Sequence, residues 1–279
     1  MKLGKRFVII CSVVFLGMVI CKGVGAEIIF QDDFDGYSDS PANHGWVVSS
    51  NISMVDDQGV NGSRCAMVTY NCSGTSPYWF GVNVSSFNRN ALYVRFYFKV
   101  DDPSGGCKFL KLFGKRDQPE GYANTTLMIN YYNSLLYEIS YGDGGGTTND
   151  TQTLIRYAGE HSDDNVNVLV AEGPFDPRDG KWHSYEFYMK YNDDGKRNGE
   201  YRVWIDGQLR VHAVNVKNRH DDNSNEFDSV QLANYCHSNW SHTWHLWYDN
   251  VVIADEYIGP FGPSGEPPGQ PGEFREVPQ

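Results

Sequence analysis

The segment KWHSYEFYMKYNDDGKRNGEYRVWIDGQL, residues 181–209, alternates apolar and polar side chains through two runs separated by a Gly/Asp-rich middle. In the first run Tyr185, Phe187, Met189 and Tyr191 point one way, and Ser184, Glu186, Tyr188 and Lys190 the other. In the return run Tyr201, Val203 and Ile205 form the apolar set, against Glu200, Arg202, Trp204 and Asp206. A period of two is the period of a β-strand and not of a helix. Burying one face fixes the register, because a one-residue slip would expose the whole apolar set. Residues 192–199 supply the turn and Asp206-Gly207 the next one.

The same alternation recurs at Leu92, Val94, Phe96, Phe98 and Val100, with Tyr93, Arg95, Tyr97 and Lys99 on the opposite face. No convincing amphipathic helix interrupts residues 27–260. Strands are expected at Ala66–Tyr70, Ala91–Val100, Lys108–Phe113, Thr126–Tyr132, Leu135–Tyr141, Ser184–Tyr191, Tyr201–Asp206, Val230–Leu232 and His242–Ala254. Many short strands with turn signals between them imply an all-β sandwich or barrel.

The chain opens with Lys2, Lys5 and Arg6, an apolar run from Phe7 to Cys21, and Val24-Gly25-Ala26, the layout of a secretory signal peptide cut after Ala26. The run is too short for a good membrane span, and Ile20 before Cys21 is too large for the usual lipoprotein signal. Removing residues 1–26 takes away four basic residues and no acidic one. That leaves 19 basic against 35 acidic side chains, a net charge of −16. Such a chain opposes nucleic acid and anionic membranes. It is expected in an extracellular or periplasmic compartment, as one domain over 27–260. Residues 261–279 continue a Pro/Gly-rich stretch whose glycine rhythm breaks after Gly265, so they read as a disordered tail and not as collagen.

Four cysteines remain after the signal, Cys65, Cys72, Cys107 and Cys236, allowing three disulfide connectivities. Cys65–Cys72 across a tight hairpin, with Cys107–Cys236 stapling distant strands, is the attractive pairing. Seven Asn-x-Ser/Thr sequons also stand in the sequence, at Asn51, Asn61, Asn71, Asn83, Asn124, Asn149 and Asn239.

Asp179-Gly180-Lys181-Trp182-His183, followed by a strand and then Val203-Trp204-Ile205-Asp206-Gly207, resembles a recurrent hairpin of concanavalin A-like jelly rolls. Laminin-G-like modules and polysaccharide lyases of the heparin lyase and glucuronan lyase type carry a similar pattern. Phe30-Gln31-Asp32-Asp33-Phe34-Asp35 and Trp247-Tyr248-Asp249-Asn250-Val251-Val252-Ile253 look like that fold's opening and closing strands. The resemblance spans most of 28–258 and implies a β-sandwich of two antiparallel sheets. It also implies a structural calcium on the convex side, at Asp33 and Asp249 with Asp32 nearby, where hard oxygen ligands would serve. This superfold hosts lectins, hydrolases and lyases alike.

The hydrolase pattern E-x-D-x-x-E is missing, since Glu226-Phe227-Asp228 is followed by Gln231 where the last Glu should stand. A retaining hydrolase without its second carboxyl has no mechanism. A lyase needs a base beside a group that neutralises the uronate carboxylate. The run from Lys108 to Arg116 offers four cations in nine residues, with Lys111 the first choice, and Tyr97, Tyr131, Tyr188 or a histidine as base. An edge guarded by lysines would look the same. His242 and His245 fall on opposite faces of a strand and do not make a zinc pair. The loop from His220 to Glu226 lacks the glycine and the bidentate acid of a calcium loop.

The residues expected on a glycan face are Arg95, Tyr97, Lys111, Tyr188, Lys190, Arg202 and Trp204, with Lys111, Tyr97 and Tyr188 as catalytic candidates. Trp204 among charges suits a sugar ring, although cross-strand packing explains it equally well. The leading expectation is a secreted polysaccharide-binding jelly roll. A uronate-cleaving lyase and an adhesion module without glycan are its rivals.

Overall fold

Two antiparallel sheets close face to face in the computed structural model. It describes residues 27–49, 51–71, 79–101, 107–114, 124–130, 135–141, 153–156, 166–171, 175, 177, 179–218, 226–233 and 243–260. The signal segment, the tail, Cys72, Cys236, Tyr131, Trp240, His242 and the 220–225 part of the acidic loop lie outside these residues.

The nine-stranded sheet holds β1 (Ile28–Asp32), β3 (Ile52–Val55), β4 (Cys65–Asn71), β6 (Ala91–Val100), β11 (Asn167–Ala171), β12 (His183–Lys190), β13 (Gly199–Ile205), β14 (Gln208–Val216) and β16 (Thr243–Ala254). Its order is β11-β14-β13-β12-β6-β16-β4-β3, with β1 also paired to β16. The seven-stranded sheet holds β2 (Val47–Val48), β5 (Phe80–Asn83), β7 (Cys107–Gly114), β8 (Asn124–Asn130), β9 (Leu135–Tyr141), β10 (Thr153–Arg156) and β15 (Phe227–Leu232). Its order is β10-β9-β8-β7-β15-β5-β2. Helical structure among the described residues is limited to three short 3-10 turns.

The alternation decides which side chains meet between the sheets. Leu92, Val94, Phe96 and Phe98 of β6 are fully buried, as are Tyr185, Phe187 and Met189 of β12 and Tyr201, Val203 and Ile205 of β13. Phe187 pairs with Val203 and with Val94, so the three central strands present one continuous apolar face. Across the interior, Phe109 of β7 stands 5.1 Å from Phe98, 5.4 Å from Tyr185 and 6.2 Å from Phe96, ring centre to ring centre. Edge-on and offset contacts of this kind add about 0.5–1.5 kcal/mol per pair beyond area burial.

Simple alternation would put Phe109 on the side of Lys111 and Phe113. A register shift between Lys108 and Leu110 in the pairing with β8 breaks that parity. Phe109, Leu110 and Leu112 are all buried, and Lys111 and Phe113 stay partly exposed. A β-bulge inserts one residue and so reverses which face the following side chains take.

The Cys65–Cys72 hairpin is overturned. Cys65 begins β4 and the strand runs straight to Asn71. At about 3.3 Å per residue Asn71 stands about 20 Å away. A disulfide needs Cα atoms within about 7 Å, and one more residue cannot bring Cys72 back. Cys65 is instead a free, buried thiol. Burial and the nearby Asp249 push its pKa up to about 12. Cys107 starts β7, and its proposed partner Cys236 lies outside the described residues.

The closing segment after β16 crosses the outer face of the nine-stranded sheet. Glu186 fixes it: one carboxylate oxygen accepts from Ile258 N at 2.7 Å and the other from Gly259 N at 2.6 Å. Tyr257 packs on Trp204 at 4.9 Å and on Tyr93 at 6.4 Å. This strap explains why Glu186 is 3% and Trp204 8% exposed on a face that alternation assigns to solvent.

Burial pushes the Glu186 pKa up to about 7, winning over the two amide hydrogen bonds and Arg95, which favour the ionised form. A carboxyl raised in the folded state stabilises most below its unfolded pKa and loses that contribution as pH rises towards 7. Stability measured by urea unfolding should therefore fall between about pH 4.5 and 7, and Glu186→Gln should flatten that slope. Glu186→Ala should release the strap, seen as new chymotrypsin cleavage at Tyr257 under native conditions. Iodoacetamide should label Cys65 only after denaturation, because the reactive species is the thiolate.

Tyr248 ties the sheets by a polar contact as well. Its hydroxyl donates to Phe109 O at 2.9 Å and accepts from Ala233 N at 3.1 Å, all three being buried. Tyr248→Phe should cost about 1–2 kcal/mol in urea unfolding, the range for a hydrogen bond lost inside a core.

Candidate functional site

The residues expected on one glycan face stand on two. Arg95, Tyr97, Tyr188, Lys190, Arg202 and Trp204 belong to β6, β12 and β13 of the nine-stranded sheet. Lys111 belongs to β7 of the other sheet, with the aromatic interior between. No single glycan can therefore touch both groups. Tyr97 and Tyr188 are likewise unable to act as base beside Lys111. The reason is the layering: Lys111 faces outward from the seven-stranded sheet, whereas Tyr97 and Tyr188 face outward from the opposite layer.

On the nine-stranded sheet the six residues do not make one open surface either. Arg95 is 2% exposed, flanked in register by Glu186 and Val252, with its guanidinium 5.6 Å from the Tyr97 ring centre. Trp204 lies under Tyr257. Tyr188 and Arg202 stay partly open. Tyr188 packs on Tyr93 at 4.6 Å, and Arg202 lies 5.4 Å over the Tyr188 ring. Glu200 then holds both Arg202 and His212, the latter at 2.7 Å. Arg202 is thus bound into a local charge network, the ordinary reading of a polar sheet face.

On the seven-stranded sheet Lys111 Nζ lies 4.6 Å from the centre of the Phe113 ring. Lys111 pairs with Gln231 on one side and with Thr126 on the other, and Gln231 pairs in turn with Gly81 of β5. Gly81 has a local reason. A Cβ there would meet the backbone oxygen of Val230 at 2.6 Å and Gln231 Cγ at 3.0 Å, so glycine is what lets β5 lie this close to β15. The result is a cation, an aromatic ring and an amide side by side on a partly exposed strand surface, the mix that recognises sugar rings and carboxylates. Sequence reasoning reached Lys111. Alternation along the strand also puts Phe113 on the face of Lys111, whereas Gln231 is not legible as a neighbour because its adjacency depends on the pairing of β7 with β15, which are far apart in the chain.

The two acids expected to hold calcium have other partners. Asp249 is fully buried, and its oxygens accept from Val60 N at 2.7 Å, Ser63 Oγ at 2.9 Å and Asn250 N at 2.6 Å. Burial, with the charge of Asp35 adding to it, pushes its pKa up to about 6. Asp33 is exposed and accepts from Asp35 N at 3.1 Å. Asp32 accepts from Phe34 N, Tyr37 Oη and Trp46 Nε1. Calcium takes six to eight oxygen ligands. Hydrogen-bond donors occupy the carboxylates here, and no group of three or more His, Cys, Asp or Glu gathers among the described residues. The arrangement does not fit a calcium centre.

His183 and His245 are each anchored by acids. His183 meets Asp206 at 2.7 Å and Asp179 at 3.1 Å, closing the Trp-His hairpin on itself. Those two carboxylates raise its pKa against the opposing effect of burial. His245 meets Asp101 at 2.6 Å. Neither stands near Lys111 in the sheets, and both fasten strand ends.

No protein-family model matches the sequence, and no curated protein matches it. Solved structures do resemble the fold. Endo-β-1,4-glucuronan lyase from the fungus Trichoderma reesei aligns with a TM-score of 0.56 at 14% identity, over 83% of this chain and 97% of that one. The marine PL-14 alginate lyase from Aplysia kurodai aligns with a TM-score of 0.56 at 14% identity, over 82% and 99%. A cellulose-induced protein, Cip1, aligns with a TM-score of 0.52 at 14% identity, over 82% and 99%. At this identity the likeness concerns the fold alone, a concanavalin A-like jelly roll shared with the glucuronan lyase and the alginate lyase.

Proposed function

We propose that this is a secreted polysaccharide-binding jelly roll that holds a uronate-containing glycan on the outer face of its seven-stranded sheet. The observation that carries the reading is Lys111 beside Phe113 and Gln231, a local cation in a chain whose expected mature charge is −16. In so acidic a protein a carboxylate polymer is repelled at long range, so its binding requires such a local contact and should be weakened by low salt. The ammonium pairs with a uronate carboxylate, the ring takes the apolar sugar face, and the amide serves the hydroxyls. The glucuronan and alginate lyases with the same fold act, by their names, on polymers of this class.

The shared fold with those lyases also favours a second reading, β-elimination. There a base takes the C5 proton of a uronate, the C4–O bond breaks with its electron pair going to the departing O4, which takes up a proton from water, and a C4=C5 double bond forms in the product. Lys111 would neutralise the carboxylate and lower the cost of the carbanion-like state.

One experiment separates the readings. The mature protein is incubated with alginate, polyglucuronate and polygalacturonate while absorbance at about 235 nm, where the unsaturated product absorbs, is followed and retardation is scored in glycan-containing gels. A flat trace with retardation in at least one gel is expected. Lys111→Ala should weaken retardation about tenfold or more, the loss of one charge-assisted hydrogen bond. Rising absorbance that Lys111→Ala abolishes would establish the lyase. Neither signal would leave a module that binds no such glycan.

A further inference from the structure

The nine-stranded sheet carries a half-open pocket of about 240 Å³, lined by Gln31 and Asp32 of β1, Asp33 just after it, Arg95 of β6, and Asn250 and Val252 of β16. Its origin is a second bulge. The register of β16 on β6 shifts between Asp249 and Val252, with Asn250 in the left-handed region at φ 48°. Asparagine tolerates that conformation better than most residues. The shift ends at Val252, the register partner of Arg95, so the interrupted part of the ladder adjoins Arg95 in the pocket lining. Bulges that re-aim side chains concentrate at functional sites.

We infer that this pocket binds a single neutral pyranose, such as the terminal residue of a neutral glycan, independently of the acidic-glycan surface on the other sheet. Size sets the first limit. The volume is below the about 300–1,000 Å³ of sites for drug-sized ligands, so it takes one ring and not an oligomer. Charge sets the second. Asp32 and Asp33 line the pocket, and Glu186 and Asp249 stand close to Arg95 from β12 and β16. With Asp32 and Asp33 in the lining, the single guanidinium leaves no net positive charge to hold a uronate. A polyhydroxylated neutral ring suits both signs: its hydroxyls donate to Asp33 and to the amide oxygens of Gln31 and Asn250, and accept from Arg95. Val252 offers the apolar contact that a sugar ring face needs.

Saturation-transfer difference NMR with methyl glucoside, methyl galactoside and methyl mannoside, set against glucuronate and galacturonate, tests this. At least one neutral glycoside should give transfer that exceeds either uronate and persists under an excess of alginate. Gln31 is exposed, so Gln31→Trp should fold, checked by an unchanged melting temperature, and should abolish the transfer by filling the pocket. Asp33→Ala should weaken binding about tenfold, as the loss of a carboxylate acceptor does. Three results would each overturn the inference: no transfer from any neutral glycoside, a stronger response from a uronate, or transfer that survives both substitutions. Displacement by alginate would move the binding to the seven-stranded sheet and would overturn it as well. Gel retardation by uronate polymers on the same proteins reports that other surface separately.

Discussion

Phe109 reaching between Phe96, Phe98 and Tyr185 is the contact on which the rest of the molecule depends. It lies where β7, at the middle of the seven-stranded sheet, meets β6 and β12, at the middle of the nine-stranded one. The chain segments involved are distant in sequence, so their loop-closure entropy must be overcome before any of these contacts forms. Interdigitated aromatic rings supply large apolar burial at few rotatable bonds, which suits that task. Tyr248 adds a directional element by linking β16 to the backbone of β7 and to Ala233 just after β15, so the sheets are fixed in angle as well as in distance.

Once the interior is filled in this way, the outer faces are independent surfaces. They are also unequal. The nine-stranded sheet is overlaid by the strap at Tyr257–Gly259, and its Trp204 and Glu186 act as floor and clamp for that strap. On the seven-stranded sheet Lys111 and Phe113 stay partly exposed. A binding surface needs aromatic and polar groups that are still accessible, and by that criterion Lys111 is better placed than Trp204.

Much of the fold was legible in the sequence. The strands of the alternating segments, β6, β12 and β13, fall where the period of two puts them, because one face of each is buried and the other is not. Short strands such as β2, β3 and β5 carry too few residues to show a period and are held by their partners. The site was less legible, for two physical reasons. Alternation tells inside from outside but not one sheet from the other, so Lys111 was grouped with residues from the opposite layer. Nor does it say what later covers an outward face: nothing local to Trp204 announces that Tyr257 will return to it. The disulfide reading failed similarly, since the six residues between Cys65 and Cys72 fit a hairpin by count but continue as one strand.

The two surfaces that matter share a device. At Lys108–Leu110 and at Asp249–Val252 a single extra residue interrupts an otherwise regular ladder. The first insertion turns Phe109 inward and lets Lys111 stay outward beside Phe113. The second interrupts the ladder next to Arg95. In a regular ladder Phe109 would share the outer face with Lys111. Register shifts also stand at Ile28–Phe30, Met128–Asn130, Val168–Val170, Gly199–Glu200, Val203–Trp204 and Phe227–Ser229, so an interrupted ladder is a general device of these sheets. The two at Lys108–Leu110 and Asp249–Val252 matter for their place, since they adjoin Lys111 and Arg95, the cations of the two proposed surfaces.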